Sequence, residues 1–189
     1  SSSAHLVVVS TLYEFKSSSL LIDVSLHLGS LLAITFFFKN ELIDIKKNKK
    51  ILSLIIFGSI PLIITGYILY KTGLIYVLRD IRIIAWTTLI FGIILYLADK
   101  CRFDKKISSN LNLKIILYIG MLQILALIPG VSRAGITITA ARIFGFNRFD
   151  SSKISFLLAI PALAGASTLG LKDITIQGFE LNYLIFIAI

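Results

Sequence analysis

Two short clusters of small, polar and ionisable residues have compositions suited to phosphate chemistry. The first is Ser1-Ser2-Ser3-Ala4-His5, and the second is Pro129-Gly130-Val131-Ser132-Arg133-Ala134-Gly135-Ile136-Thr137. The planar guanidinium of Arg133 matches phosphate oxygens, and the neighbouring glycines let backbone N–H groups approach an anion. The hydroxyls of Ser132 and Thr137 add donors. The second cluster therefore predicts a clamp for phosphate or pyrophosphate.

The first cluster places a titratable group beside hydroxyls. His5 can act as base, acid or nucleophile near neutral pH, and Ser2 can donate hydrogen bonds or act as a nucleophile. The spacing does not choose between these roles. An anion clamp with a titratable group is what phosphoryl transfer requires. The structural alternatives are a helix-capping serine turn, a core histidine, and an arginine that extends to the membrane interface.

The composition of the chain is that of a polytopic membrane protein. Hydrophobic residues make up 57%, charged residues only 15%, and the mean hydropathy is +0.91. A soluble domain is about a quarter charged. The charges lie between long apolar runs, so the net charge of +9 indicates membrane topology rather than nucleic-acid binding.

Several apolar runs are long enough, or nearly so, to cross the hydrocarbon layer, which takes about 20 residues. They are residues 20–38, 51–70, 81–98, 111–128 and 154–171, and the last contains Pro161 and Gly165. Two shorter runs, residues 6–13 and 136–146, follow the two polar clusters. We therefore predict an all-α, polytopic membrane helix bundle.

Basic residues predict which connections face the cytoplasm. Connections 39–50 and 99–110 are rich in lysine and arginine, whereas connection 71–80 is poor in them. The positive-inside rule places the two rich connections in the cytoplasm. If run 111–128 crossed fully, the next basic residues would lie outside, against that rule; these are Arg142, Arg148 and Lys153. The chain is therefore predicted to turn at Pro129-Gly130 and return to the same side as a re-entrant helix hairpin.

The same argument makes residues 1–5 the turn of a second re-entrant hairpin, entering from the outside. Two hairpins from opposite faces predict inverted-topology repeats of about residues 1–98 and about 99–189, within a single transmembrane domain over 1–189. Because the chain starts at Ser1 without a methionine and stops at Ile189 inside an apolar run, we expect it to be truncated at both ends, an internal fragment of a longer protein.

Asp23 and His27 lie four residues apart in the first long run. Residues at this spacing share one helix face. They either line a cavity or pair with each other within the bundle, and the sequence alone favours the structural pairing.

The two clusters resemble the motifs of the undecaprenyl-diphosphate phosphatase family, bacterial membrane enzymes linked to bacitracin resistance. The family's first motif ends in Ser-Ser-x-x-His, matched here by residues 1–5. Its second motif reads Pro-Gly-x-Ser-Arg-Ser-Gly-x-Thr-Ile, matched by residues 129–138 with Ala134 in place of the second serine. Residues 28–33 and 155–161 also look like the family's, so the resemblance covers nearly the whole chain.

The resemblance implies hydrolysis of undecaprenyl diphosphate to the monophosphate, which recycles the lipid carrier for peptidoglycan synthesis. It implies a multi-pass protein of the bacterial plasma (inner) membrane with its active site facing the outer side. By position, the catalytic residues would be His5, Ser2 and Arg133, and the substrate-binding residues Ser1, Ser3, Gly130, Ser132, Arg133, Gly135 and Thr137. The implied partners are the polyprenyl diphosphate lipid and membrane lipids, without nucleic acid, and a homodimer is left open.

The resemblance also implies a divalent cation, Mg²⁺ or Ca²⁺, held by paired glutamates that the family carries just upstream of its first motif. Those carboxylates are expected upstream of Ser1, so no metal ligand is named in this chain. A transporter or flippase of a lipid phosphate is the alternative, because inverted repeats with broken helices are typical of transporters. A carboxylate pair upstream would favour the hydrolase.

Overall fold

The computed structural model describes residues 19–73, 80–100 and 104–176, and this part of the chain is helical. Its helices are α1 (Ser19–Phe37), α2 (Lys39–Ile43), α3 (Ile45–Thr72), α4 (Ile81–Lys100), α5 (Ile107–Asn110), α6 (Leu113–Gln123), α7 (Arg133–Ile143) and α8 (Arg148–Ile176). A 3₁₀ turn, Ile124–Leu127, follows α6. The prediction of an all-α bundle is confirmed.

Three of the described helices have the length and apolar character needed to cross a membrane. These segments are Asn48–Thr72, Ile81–Lys100 and Arg148–Ile174. Their outer surfaces carry large exposed apolar side chains, for example Trp86 and Leu89 on α4. Water would make so much exposed apolar surface unfavourable, whereas lipid chains do not. The multi-pass prediction therefore accounts for the exposed faces.

The segment formed by α1, Phe38 and α2 packs antiparallel to α8 in one continuous register. A Cβ at Gly170 would lie 2.3 Å from Val24 Cγ2, the rings of Phe38 and Phe156 lie 6.2 Å apart, and Lys153 Nζ lies 2.8 Å from Glu41 Oε1. Residue numbers therefore increase along one segment as they decrease along the other, over the whole interface. This register fixes which residues of α1 and α8 lie level with each other.

Helices α3 and α6 approach closely through glycines. A Cβ at Gly120 would lie 2.0 Å from the carbonyl oxygen of Gly58, and one at Gly58 would lie 2.7 Å from Ile116. Small residues let membrane helices pack with their backbones in near contact. The first arm of the predicted hairpin is therefore held firmly against a spanning helix.

Helices α6 and α7 form the second predicted hairpin, and its two ends meet. The Lys105 amide donates to the Gly145 carbonyl at 3.1 Å, and the Asn147 amide donates to the Lys105 carbonyl at 3.1 Å. At about 1.5 Å of rise per residue, α7 is too short to cross about 30 Å of hydrocarbon. The chain thus enters and leaves at one level, as the basic residues predicted.

The other predicted hairpin, whose turn is residues 1–5, lies outside the described residues. The inverted repeats, about 1–98 and 99–189, depend on that hairpin and therefore stay a prediction. Connection 39–50, predicted to be cytoplasmic, is described, and it is helical through α2 and the start of α3 rather than an open loop.

Candidate active site

The tip of the α6–α7 hairpin is a tight turn that requires glycine. Gly130 has φ of +94°, a conformation that glycine adopts without the clash that a Cβ would cause. A Cβ there would also lie 2.1 Å from Thr87 Oγ1 and 2.7 Å from the Ile84 carbonyl oxygen on α4. Both the backbone angle and the packing therefore select glycine at this predicted substrate-binding position.

Two threonines of α4 hold the tip in place. Thr87 Oγ1 donates to the Pro129 carbonyl at 2.8 Å, and Thr88 Oγ1 donates to the Gly130 carbonyl at 3.2 Å. These threonines lie about 10 Å along α4 from Ile81 and about 18 Å from Lys100, at 1.5 Å per residue. The tip is therefore fixed at an intermediate depth of the bundle, away from both ends of the spanning helix.

The second arm begins at Arg133, three residues before the apolar run 136–146. Ser132 Oγ accepts a hydrogen bond from the Gly135 amide at 3.2 Å, and the Ser132 carbonyl accepts one from the Ile136 amide at 2.8 Å. Ser132 is thus the N-cap, and Gly135 lies inside the first turn. The amides of Arg133 and Ala134 precede any helical acceptor, so they remain available for an anion.

Arg133 projects from this helix start toward α8. Its Nη1 lies 3.4 Å from the Ala159 carbonyl oxygen, which is a long hydrogen bond. No carboxylate of the described residues forms an ion pair with it. A guanidinium at membrane depth is costly unless it is paired. The geometry of Arg133 therefore suits an anionic ligand.

Thr137 supports the site from within the protein. It is buried, and its hydroxyl donates to the Arg133 carbonyl at 2.9 Å and lies 2.7 Å from Ser155 Oγ on α8. These two contacts hold α7 against α8 one helical turn after Arg133. Its predicted role in substrate binding is therefore best understood as positioning of Arg133.

The other predicted site residues lie outside the described part of the chain. These are Ser1, Ser2, Ser3 and His5. Their distance from Arg133 is not described, so the predicted meeting of the two clusters stays a prediction.

The described residues contain no group of three His, Cys, Asp or Glu that could hold a metal ion. They therefore do not provide the ligand set for the divalent cation that the resemblance implies.

One neighbour of Arg133 was not predicted as part of the site. His27 on α1 is close enough for Coulombic interaction with both Asp23 and Arg133. The spacing of Asp23 and His27 gave the only signal in the sequence, and it was assigned to structural pairing. The proximity of His27 to Arg133 arises from tertiary packing and could not be read from that spacing.

Comparison with known proteins finds relatives along the whole chain. The family model for the bacitracin resistance protein BacA matches residues 1–189. An undecaprenyl-diphosphatase of Pelagibacter ubique (strain HTCC1062) is 71% identical over 190 residues, covering 100% of this chain and 74% of that protein. One from Elusimicrobium minutum (strain Pei191) is 45% identical over 183 residues, covering 92% of this chain and 70% of that protein.

Proposed function

The chain belongs to the bacitracin resistance protein BacA family, and on this premise we propose that it hydrolyses undecaprenyl diphosphate to undecaprenyl phosphate and inorganic phosphate. The observation that carries the proposal is Arg133, a guanidinium at the tip of a membrane hairpin without a carboxylate partner among the described residues. The reaction recycles the lipid carrier of peptidoglycan synthesis, and the protein is a phosphatase of the cell membrane.

The hairpin tip binds the diphosphate. Arg133 donates to its non-bridging oxygens, and the amides of Arg133 and Ala134 add donors at the positive end of α7. Charge on these oxygens changes as the terminal phosphoryl group transfers, and donors held in place by the protein stabilise that change. Thr87, Thr88 and Thr137 support this arrangement, because they fix the tip and the helix that carries the guanidinium.

His5 and Ser2 take part in the transfer, with the nucleophile left open between Ser2, His5 and water. In each route the bond between the terminal phosphorus and the bridging oxygen breaks. The bridging oxygen stays on the lipid monophosphate, and the oxygen of water ends on the released phosphate. A basic group, for which His5 is our choice, accepts the proton that the water or the hydroxyl loses.

The proposal includes a divalent cation, Mg²⁺ or Ca²⁺, held by carboxylates expected upstream of Ser1. Such an ion would neutralise charge on the diphosphate oxygens. The substrate's prenyl chain stays in lipid beside the exposed apolar face of α4, next to the threonines that hold the tip. We place the active site toward the outer side of the membrane, as the family resemblance implies, and homodimer formation stays a prediction.

Phosphate release from undecaprenyl diphosphate tests this function. The full-length protein is assayed in detergent with Mg²⁺ or Ca²⁺, beside the Arg133→Ala and His5→Ala variants. We expect both variants to lose about 100-fold or more in kcat/KM, the usual cost of removing a key polar catalytic group. Arg82→Ala, at an exposed arginine near the start of α4, is the matched control and should keep the wild-type rate.

No phosphate release by the wild-type protein, with its fold intact, would exclude the phosphatase. Transport of the lipid phosphate, measured by its movement between the leaflets of a vesicle, would then become the leading function. Release that survives in Arg133→Ala would instead keep the enzyme and remove the hairpin tip from its active site.

A further inference from the structure

The α1–α8 interface brings His27 level with a buried serine hydroxyl. His27 lies three residues after Val24, so both face α8. On α8, Ser167 lies three residues before Gly170, the contact of Val24, and therefore faces α1. The antiparallel register set by Val24–Gly170 and Phe38–Phe156 then places His27 and Ser167 opposite each other.

Ser167 has no hydrogen bond in the described part of the protein. The residue is 2% exposed, and its Oγ finds no partner even on its own helix. Buried hydroxyls are nearly always hydrogen-bonded in native proteins. A buried serine hydroxyl that its own helix leaves unpartnered therefore suits a ligand with acceptor oxygens.

Arg133 lies at the lower edge of the same interface. It contacts α8 at Ala159, two helix turns or about 12 Å below the level of Ser167. His27 is within Coulombic range of Arg133. Because His27 and Ser167 lie at one level, a diphosphate that spans from Arg133 toward that level meets a donor from each helix.

We propose that His27 is a second phosphate-binding group of the Arg133 site, with Ser167 donating from the opposite helix. The ligand is a phosphate or diphosphate anion, either the headgroup of the lipid or the phosphate released from it. Arg133 holds one end, while the His27 ring N–H and the Ser167 hydroxyl donate to oxygens at the other. Asp23, one turn earlier on α1, is also within Coulombic range of His27. This inference rests on the proposed function.

Binding of inorganic pyrophosphate tests the site without requiring turnover. The dissociation constant of the full-length protein is measured in detergent by isothermal titration calorimetry, with a chelator present so that no metal ion bridges. We expect His27→Ala to raise the Kd about tenfold, as the loss of a hydrogen bond to an anion does. Ser167→Ala should raise it less. His27→Gln, which keeps an N–H donor, should restore part of the affinity.

Thr168→Val is the matched control, since Thr168 is exposed beside Ser167 and its hydroxyl donates to the Gly165 carbonyl of its own helix. Its Kd should equal that of the wild type. An unchanged Kd in His27→Ala, with an unchanged melting temperature, would overturn the proposal. So would a His27→Gln variant as weak as His27→Ala, because a lost donor would then not explain the effect.

Turnover of undecaprenyl diphosphate separates the two sources of the anion. If His27 binds the lipid headgroup, His27→Ala raises KM for the lipid. If it binds the released phosphate, KM is unchanged and inhibition by added phosphate weakens, and either result supports the site. Absence of wild-type turnover would remove the phosphatase, while the pyrophosphate titration would still decide the role of His27.

Discussion

The two ends of α7 carry arginines in opposite circumstances. At the base of the hairpin, Arg142 is buried and donates to the Phe146 carbonyl at 2.8 Å and the Asp99 carbonyl at 3.1 Å. Its Nε also lies 3.5 Å from the Asp99 carboxylate. At the tip, Arg133 has one long hydrogen bond to a carbonyl and no described carboxylate partner.

The two arginines of this short helix therefore have different roles, one structural and one in ligand binding. A guanidinium whose donors are used by the protein fixes the fold, as Arg142 does by joining α7 to the end of α4. A guanidinium whose donors remain open at membrane depth needs an anion from elsewhere. The hairpin therefore uses its base to set its position and its tip to bind the ligand.

The largest effect on stability is expected at the base. Arg142→Ala leaves the Asp99 carboxylate and buried carbonyls without this partner, and should lower the free energy of unfolding by about 3 kcal/mol. Arg133→Ala should leave it nearly unchanged. Unfolding in a denaturing detergent measures both.

Arg148 offers a matched control for this comparison. It forms an ion pair with the same Asp99 at 2.7 Å, but its own side chain is 76% exposed. Arg148→Ala should therefore cost much less than Arg142→Ala, because an exposed ion pair contributes little to stability. If Arg133→Ala destabilised the protein as much as Arg142→Ala, the two ends of α7 would not differ as described.

A smaller effect is expected where the tip meets α4. Thr87→Val keeps the shape of the side chain but removes the hydroxyl that donates to the Pro129 carbonyl. We expect a loss of about 1 kcal/mol in stability, together with a fall in kcat/KM because the tip shifts. Thr72→Val is the control, since that exposed hydroxyl bonds only within its own helix. Equal activities of the two variants would contradict a positioning role for Thr87.

The apolar runs predicted the helices well because hydrocarbon thickness restricts their lengths. The predicted run 20–38 corresponds to the observed helix Ser19–Phe37, and the predicted run 81–98 to the helix Ile81–Lys100. Run 51–70 is shorter than helix α3, which begins at Ile45. The first turns of α3 carry lysines, and charged residues are not counted as part of an apolar run. The re-entrant hairpin was predicted from charge alone.

The site was predicted in part. The residues around Arg133 were identified by type and spacing, whereas the apolar run 136–146 begins three residues after the helix that Ser132 caps. The pairing of Arg142 with Asp99 and the proximity of His27 to Arg133 join distant segments. Such contacts depend on helix packing, which local patterns do not contain.

The smallest effect concerns Glu41 of α2, whose carboxylate pairs with Lys153 of α8. The hydrogen bond from Lys153 holds the pKa of the Glu41 carboxyl below its ordinary value. The pair therefore stabilises the protein above that ordinary pKa, about 4.3, and the contribution disappears as the pH falls through the lowered value. Glu41→Gln should cost about 0.5 kcal/mol at pH 7, and nothing in acid. A difference that persisted in acid would assign the effect to packing.

The most direct test of the division between tip and base is the activity of charge-conserving variants. Phosphate release from undecaprenyl diphosphate is measured per folded molecule for Arg133→Lys and Arg142→Lys in the full-length protein. Lysine keeps the charge but loses the planar fork that binds phosphate oxygens, so Arg133→Lys should lose about tenfold or more in kcat/KM at an unchanged melting temperature. Arg142→Lys should melt earlier and keep its activity. Wild-type activity in Arg133→Lys, or a larger loss in Arg142→Lys, would contradict the account.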